Sequence, residues 1–243
     1  MAQGQGLGTV VLYTLIPVVA ALVGGLIAAF RPPRKPARSA IQHFAGGVVF
    51  AAAALELLPP VMAQPVVVAL VGFGLGIAVM FALRLFERRI EGGEKGEDER
   101  GGEGIGLIVA AGVDVFIDGL VVGAGFVQGG RQGLLLTIAL TLELLFLGLA
   151  IAVAVRGARW KIITTPTALA LLLMAGAVIG FLALGGVSPA ILAVALAFGA
   201  VVLMYLVTEE LLVEAHKAAE TTWAPSVFFV GFLVYLVIAK LLG

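Results

Sequence analysis

The chain has 243 residues, 61% apolar and only 12% charged, and its 15 basic and 15 acidic side chains cancel to a net charge of zero. With a mean hydropathy of +1.15, this composition excludes a water-soluble domain and reads as an all-α integral membrane protein. The absence of cysteine excludes disulfides, thiolate metal ligation and haem attachment through sulfur.

Apolar runs of about 20 residues, enough to cross a bilayer core as helix, fall at 7–30, 40–62, 66–86, 105–127, 134–155, 167–186, 190–213 and 226–242. Eight transmembrane helices in one domain, 1–243, are expected, and an even count puts both termini on one side. The first run lacks a basic leading segment and runs on into a basic loop, so it reads as a true span and not as a cleaved export signal. The loops after spans one, three, five and seven carry 13 of the 15 Lys and Arg residues, and only Arg131 and Lys240 fall on the other face. Basic loops stay inside, so both termini are expected to be extracellular in a plasma membrane. Between spans three and four, residues 87–104 hold seven acids and four basic residues among glycines, and such a segment reads as a flexible cytoplasmic loop without a core of its own.

Six carboxylates lie within these apolar runs: Glu56, Asp114, Asp118, Glu143, Glu209 and Glu210. An ionised side chain at bilayer depth costs about 2.5–3.5 kcal/mol on insertion scales, and the basic residues all lie in loops or at helix ends, so no basic partner is expected for these acids. That points to a cation that comes and goes, or to protons. Asp114 and Asp118 are four apart and share a helix face. Asp114 and Glu143 are each about 15 Å deep at 1.5 Å per residue, so three acids from spans four and five can meet near the bilayer middle. The plainer alternative is that hydroxyls such as Thr137 and Thr141 hydrogen-bond these acids, which then only position helices. Glu56 lies toward the outer end of span two and Glu209 and Glu210 in the inner third of span seven, which traces a polar route on either side of the trio. His43 and His216 lie at the cytoplasmic ends of spans two and seven, away from the trio, and read as interface residues. Gly119-Leu120 and Gly148-Leu149 follow the acids of spans four and five and fit two helices packed through small residues. Gly72 and Gly76 form a small-residue surface that would permit a homodimer.

Several of these segments resemble the ZIP divalent-metal transporters, over essentially the whole chain. Residues 202–216, VLMYLVTEELLVEAH, are similar to the family's seventh span, where a Tyr precedes an acidic or His pair and a Glu often followed by His. Residues 45–59 resemble its second span ending in His-Leu-Leu-Pro, Asp114 to Gly119 its His-Asn-x-Pro-Glu-Gly, and residues 143–153 the Gly-Leu-Ala tail of its fifth span. The resemblance implies eight helices in a 3+2+3 inverted-repeat bundle. It also implies a metal site of Asp114, Asp118 and Glu143, with Glu56, Glu209 and Glu210 along the transport pathway. Val115, Leu144 and Leu147 stand where the family has polar ligands, which reduces a two-metal centre to one carboxylate site. Ile117, Leu145 or Phe146, and Val213 stand where it usually has proline, so these spans are expected to be straighter.

The expectation is therefore a carrier, not an enzyme, of a divalent cation such as Mn, Fe, Zn, Cd or Mg, whose partners are the ion and the lipid bilayer and no nucleic acid. Oxygen-only ligation favours the harder cations. Proton-coupled transport of another solute and a non-transporting metal-sensing or scaffold role remain open. An intramembrane aspartyl protease is disfavoured, because Asp114 and Asp118 share one helix instead of facing each other from two and the Gly-x-Gly-Asp signature is absent.

Overall fold

The computed structural model describes residues 6–30, 35–93, 103–154, 159–218 and 223–242, and among these the chain is helical apart from short turns, with no strand. Helix satisfies every backbone donor and acceptor within the segment, as a hydrocarbon environment requires. Eight helices among the described residues are long and apolar enough to cross a bilayer. They are α1 (Leu7–Phe30), α2 (Lys35–Ala52, a π-helical turn Ala53–Leu57, then Leu58–Met62), α3 (Val66–Gly93) and α4 (Glu103–Gln128). The second half comprises α5 (Gly130–Ala154), α6 (Arg159–Leu184), α7 (Pro189–Leu206, a π-helical turn Val207–Leu211, then Leu212–Ala218) and α8 (Ala224–Leu241).

Each expected apolar run is matched by a helix; most helices start earlier than expected, and α5, α6 and α8 are helical to Ala154, Leu184 and Leu241, one or two residues short of the end of the run. The long extensions are α6, which starts at Arg159, and α3, which continues to Gly93 into the segment that reads as loop, because Glu87, Arg88, Arg89 and Glu91 are good helix formers outside a membrane as well. Residues 94–102 of that segment lie outside the described residues. The α6–α7 corner has a local cause: Gly186 takes φ +83°, a left-handed conformation open to glycine at low cost. Ser188 then caps α7, accepting from the Ile191 amide, with Pro189 at the first helical position, where its missing amide hydrogen is not needed.

Burial separates the helices into two sets. In α2, α4, α5 and α7 the buried share of the apolar window is 61, 61, 56 and 56%, against 33, 17, 33 and 22% in α1, α3, α6 and α8. The first four therefore form the core. The outer four cover it, presenting side chains such as Leu70 and Phe81 of α3 and Phe229 and Leu233 of α8 outward, as lipid contact demands. Packing is closest within two groups. In one, α1 lies on α5 and α6, and α4 on α5 and α6; in the other, α8 lies on α2 and α3 on α7. Contacts of α2 with α5 and of α4 with α7 join the groups around the centre.

Small residues set a close crossing, although not between the helices expected. Gly119 and Gly123 of α4 pack against the backbone of α6 at Leu173, Gly176, Ala177 and Phe181, and Gly176 and Gly180 pack back against Phe116 and Leu120. Gly148 of α5 likewise faces Pro166 of α6. The Gly-Leu pairs thus serve α6 and not an α4–α5 face, since two Gly-x-x-x-Gly faces can approach more closely than one glycine against leucine. Gly72 and Gly76 are taken up by α7, at Val194, Ala197 and Val201.

Candidate carboxylate site

At the centre, α4 is regular helix through Asp114 and Asp118, and α5 is regular through Glu143, in keeping with the absence of proline. Asp118 and Glu143 are buried, with 1% and 5% of their surface exposed. They face one another, each the other's close polar neighbour, with Asp114 and Glu210 adding negative charge nearby. Neither oxygen of Asp118 nor Oε2 of Glu143 meets a hydrogen-bond donor among the described residues. Two ionised carboxylates cannot donate to each other, so a proton, a cation or a bridging water must join them.

The neighbouring hydroxyls do not answer that need. Thr137 donates to the Gly133 carbonyl at 2.7 Å and Thr141 to the Thr137 carbonyl at 2.6 Å, each spending its single hydrogen on the backbone of its own helix. They fix α5 and give no hydrogen to Asp118 or to Oε2 of Glu143.

Beside the pair lies a cavity of about 80 Å³, lined by Gln42, Asp114, Glu143, Glu210 and Glu214 with apolar side chains such as Leu147. It is large enough for more than one water. The cavity occupies one half of the bundle: its lining residues lie toward the starts of α2 and α4 and toward the ends of α5 and α7, the end where the basic loops cluster. Asp114 and Glu143 of the expected trio line it, whereas Asp118 lies against Glu143 outside the lining. No group of three or more His, Cys, Asp or Glu side chains among the described residues closes to metal-binding distance in this conformation.

The route acids separate. Glu210 lines the cavity; Glu209 turns toward α3, where Arg84 pairs with it at 2.5 Å and donates to the Tyr205 hydroxyl at 2.7 Å. Glu56 is buried on α2, 4.0 Å from Arg131 of α5, beside Tyr235 of α8. The expectation that no basic side chain reaches these acids is therefore corrected at two of the six: long arginine stems carry charge inward from helix ends. Sequence reading also passed over Gln42 and Glu214 as cavity residues. Glu210 and Glu214, four apart, share a face, a spacing that could have separated Glu210 from Glu209.

Helix geometry marks the same levels. The π turns of α2 and α7 contain Glu56 and the Glu209–Glu210 pair. The turn in α2 precedes Pro59 and Pro60, but α7 has none nearby, so a straight, regular α7 is not what forms. Turns of this kind widen the helix by one residue and release backbone carbonyls, and they are common at functional positions. No protein-family profile matches the chain, and a comparison with curated proteins finds no significant relative.

Proposed function

We propose that the chain is a ZIP-like carrier of a plasma membrane that moves a divalent cation through one carboxylate site at the bilayer midplane, built on Asp118 and Glu143 with Asp114 beside them. One observation carries the reading: two buried carboxylates from different helices face each other, three of their four oxygens without a donor among the described residues, next to a water-sized cavity with more acids in its wall. Burial without compensation is costly. A divalent cation removes that cost and sheds its own water into the oxygens. The cation is the cargo, and the donors close on it during binding.

The helix contacts support an inverted arrangement of three, two and three helices. Exchanging α1 with α6, α2 with α7, α3 with α8 and α4 with α5 maps α1–α5 packing onto α6–α4, α2–α8 onto α7–α3, and α2–α5 onto α7–α4. The same exchange places the two π turns at corresponding levels. Transport then follows from a shift of the α1, α4, α5, α6 group against the α2, α3, α7, α8 group, which would open the site alternately past Glu56 and past Glu210. Both termini lie outside in this scheme, and the cavity faces the cytoplasm.

Uptake of radioactive Mn²⁺, Zn²⁺ and Cd²⁺ into proteoliposomes tests the reading. Uptake by the native chain that disappears in Glu143→Gln supports it; unchanged uptake in that variant removes the site. A second reading, proton-coupled transport of another solute, is favoured by one feature: without three closed donors, a single proton suffices to join Asp118 to Glu143. Solute-dependent proton flux with no response to any cation would establish it.

A further inference from the structure

The only two histidines of the chain, 173 positions apart in sequence, are brought together where α2 packs on the end of α7. His43 of α2 and His216 of α7 have ring centres 5.1 Å apart at an interplanar angle of 63°. Gln42 and Glu214, which line the cavity, stand one residue before His43 and two before His216.

Both rings are oriented in the same way. Nδ1 of His43 lies 2.9 Å from the Ser39 carbonyl and Nδ1 of His216 lies 2.6 Å from the Leu212 carbonyl. A carbonyl oxygen only accepts, so in the neutral imidazole each Nδ1 carries the hydrogen and each Nε2 the lone pair. Metal-ligating imidazoles characteristically give their second N–H to such a carbonyl, which fixes tautomer and orientation. His43 is 2% exposed and its Nε2 has no hydrogen-bond partner among the described residues, while His216 is exposed. One ring is thus held inside the bundle with a lone pair unanswered among the described residues, and the other stands exposed at the surface.

The spacing suits a shared ion. With Zn–N about 2.0 Å, the ion sits about 3.2 Å from a ring centre, and two imidazoles at a tetrahedral angle then have centres about 5.2 Å apart. The nearby cations do not oppose this, because Arg38 and Lys217 both pair with Glu214.

We infer that His43 and His216 form a second, imidazole-based site for a borderline transition-metal ion such as Zn²⁺, Co²⁺ or Ni²⁺, with water completing the coordination. Its chemistry differs from that of the carboxylate site: paired imidazoles select later transition metals over Mn²⁺, Mg²⁺ and Ca²⁺. As a receiving station for a cation leaving the central acids it rests on the carrier reading; metal binding by the pair does not.

The chain's having two histidines and no cysteine makes a direct test available. Zn²⁺ is titrated into tag-free, detergent-solubilised protein labelled with ¹⁵N-histidine, alongside a parallel titration with Mg²⁺. The expected result is that the Nε2 resonances of both histidines shift in step with Zn²⁺, stay fixed with Mg²⁺, and shift equally in the Asp118→Asn, Glu143→Gln double variant. Because His216 is exposed, His216→Asn leaves the fold intact and should abolish the shift at His43. A Zn²⁺ shift confined to His216, a His43 shift that survives His216→Asn, or equal response to Mg²⁺ overturns the site. Loss of transport in the double variant with the histidine shift retained would separate the two sites.

Discussion

Replacing Asp118 with asparagine should make the cation-free protein more stable while removing its response to cations. The side chain keeps its size and is 1% exposed, so the change creates neither a cavity nor a clash. It turns an acceptor-only group into one that donates to Oε2 of Glu143, which now lacks a partner among the described residues. An unsatisfied buried polar group costs about 1–3 kcal/mol, so the gain is about 2 kcal/mol. At about 2–4 °C per kcal/mol for a chain of this size, the unfolding midpoint rises by roughly 4–8 °C. A cation held by the native pair at a hundredfold excess over its Kd adds about 2.7 kcal/mol, and Asp118→Asn should lose that increment. Differential scanning of purified protein with and without Mn²⁺ or Zn²⁺ measures both. The reasoning is refuted if Asp118→Asn melts below the native protein without cation, or melts above it and still gains the full increment with cation.

Arg131→Ala should lower stability by about 1–2 kcal/mol, since it leaves Glu56 buried without its partner but removes a half-exposed arginine; adding Glu56→Gln should restore most of the loss in the same thermal assay. Gly123→Ala drives a methyl into the α6 backbone and should cost about 1–3 kcal/mol, whereas Gly74→Ala, with open space around it, should gain about 0.5–1 kcal/mol; detergent-solubilised yield and midpoint compare them. Cation affinity at the carboxylate site should fall as pH falls, because protons occupy the same oxygens, and calorimetric titration at about pH 7 and about pH 5 reads the sign. Leu242→Cys in this cysteine-free chain should react with an impermeant maleimide from outside intact cells, and labelling only after permeabilisation would reverse the topology.

The helices were legible because crossing a bilayer is a local demand: some 20 apolar residues, whatever their neighbours. Each of the eight apolar runs became a helix, and 7–30 matched α1 end to end. The ends were less legible where a helix outruns its apolar stretch, as α3 does past Leu85, since hydropathy stops there and helix propensity does not. That acids of spans four and five could meet also followed from counting residues along two helices, and Asp118 and Glu143 do face each other.

Partner choice was not legible, because it depends on which face of each helix turns toward which neighbour. Glu209 and Glu210 are adjacent in sequence, yet one meets Arg84 of α3 and the other the cavity. Gly119 and Gly123 look equally ready for any small-residue face and meet that of α6. His43 and His216, each an ordinary polar residue near a helix end, become a pair only when α2 packs against α7. Hydropathy is a property of the chain and fixes the number and position of the long apolar helices; rotation and packing of rigid helices are properties of the bundle, and they alone decide that Glu56 and Glu209 meet arginines while Asp118 and Glu143 face each other.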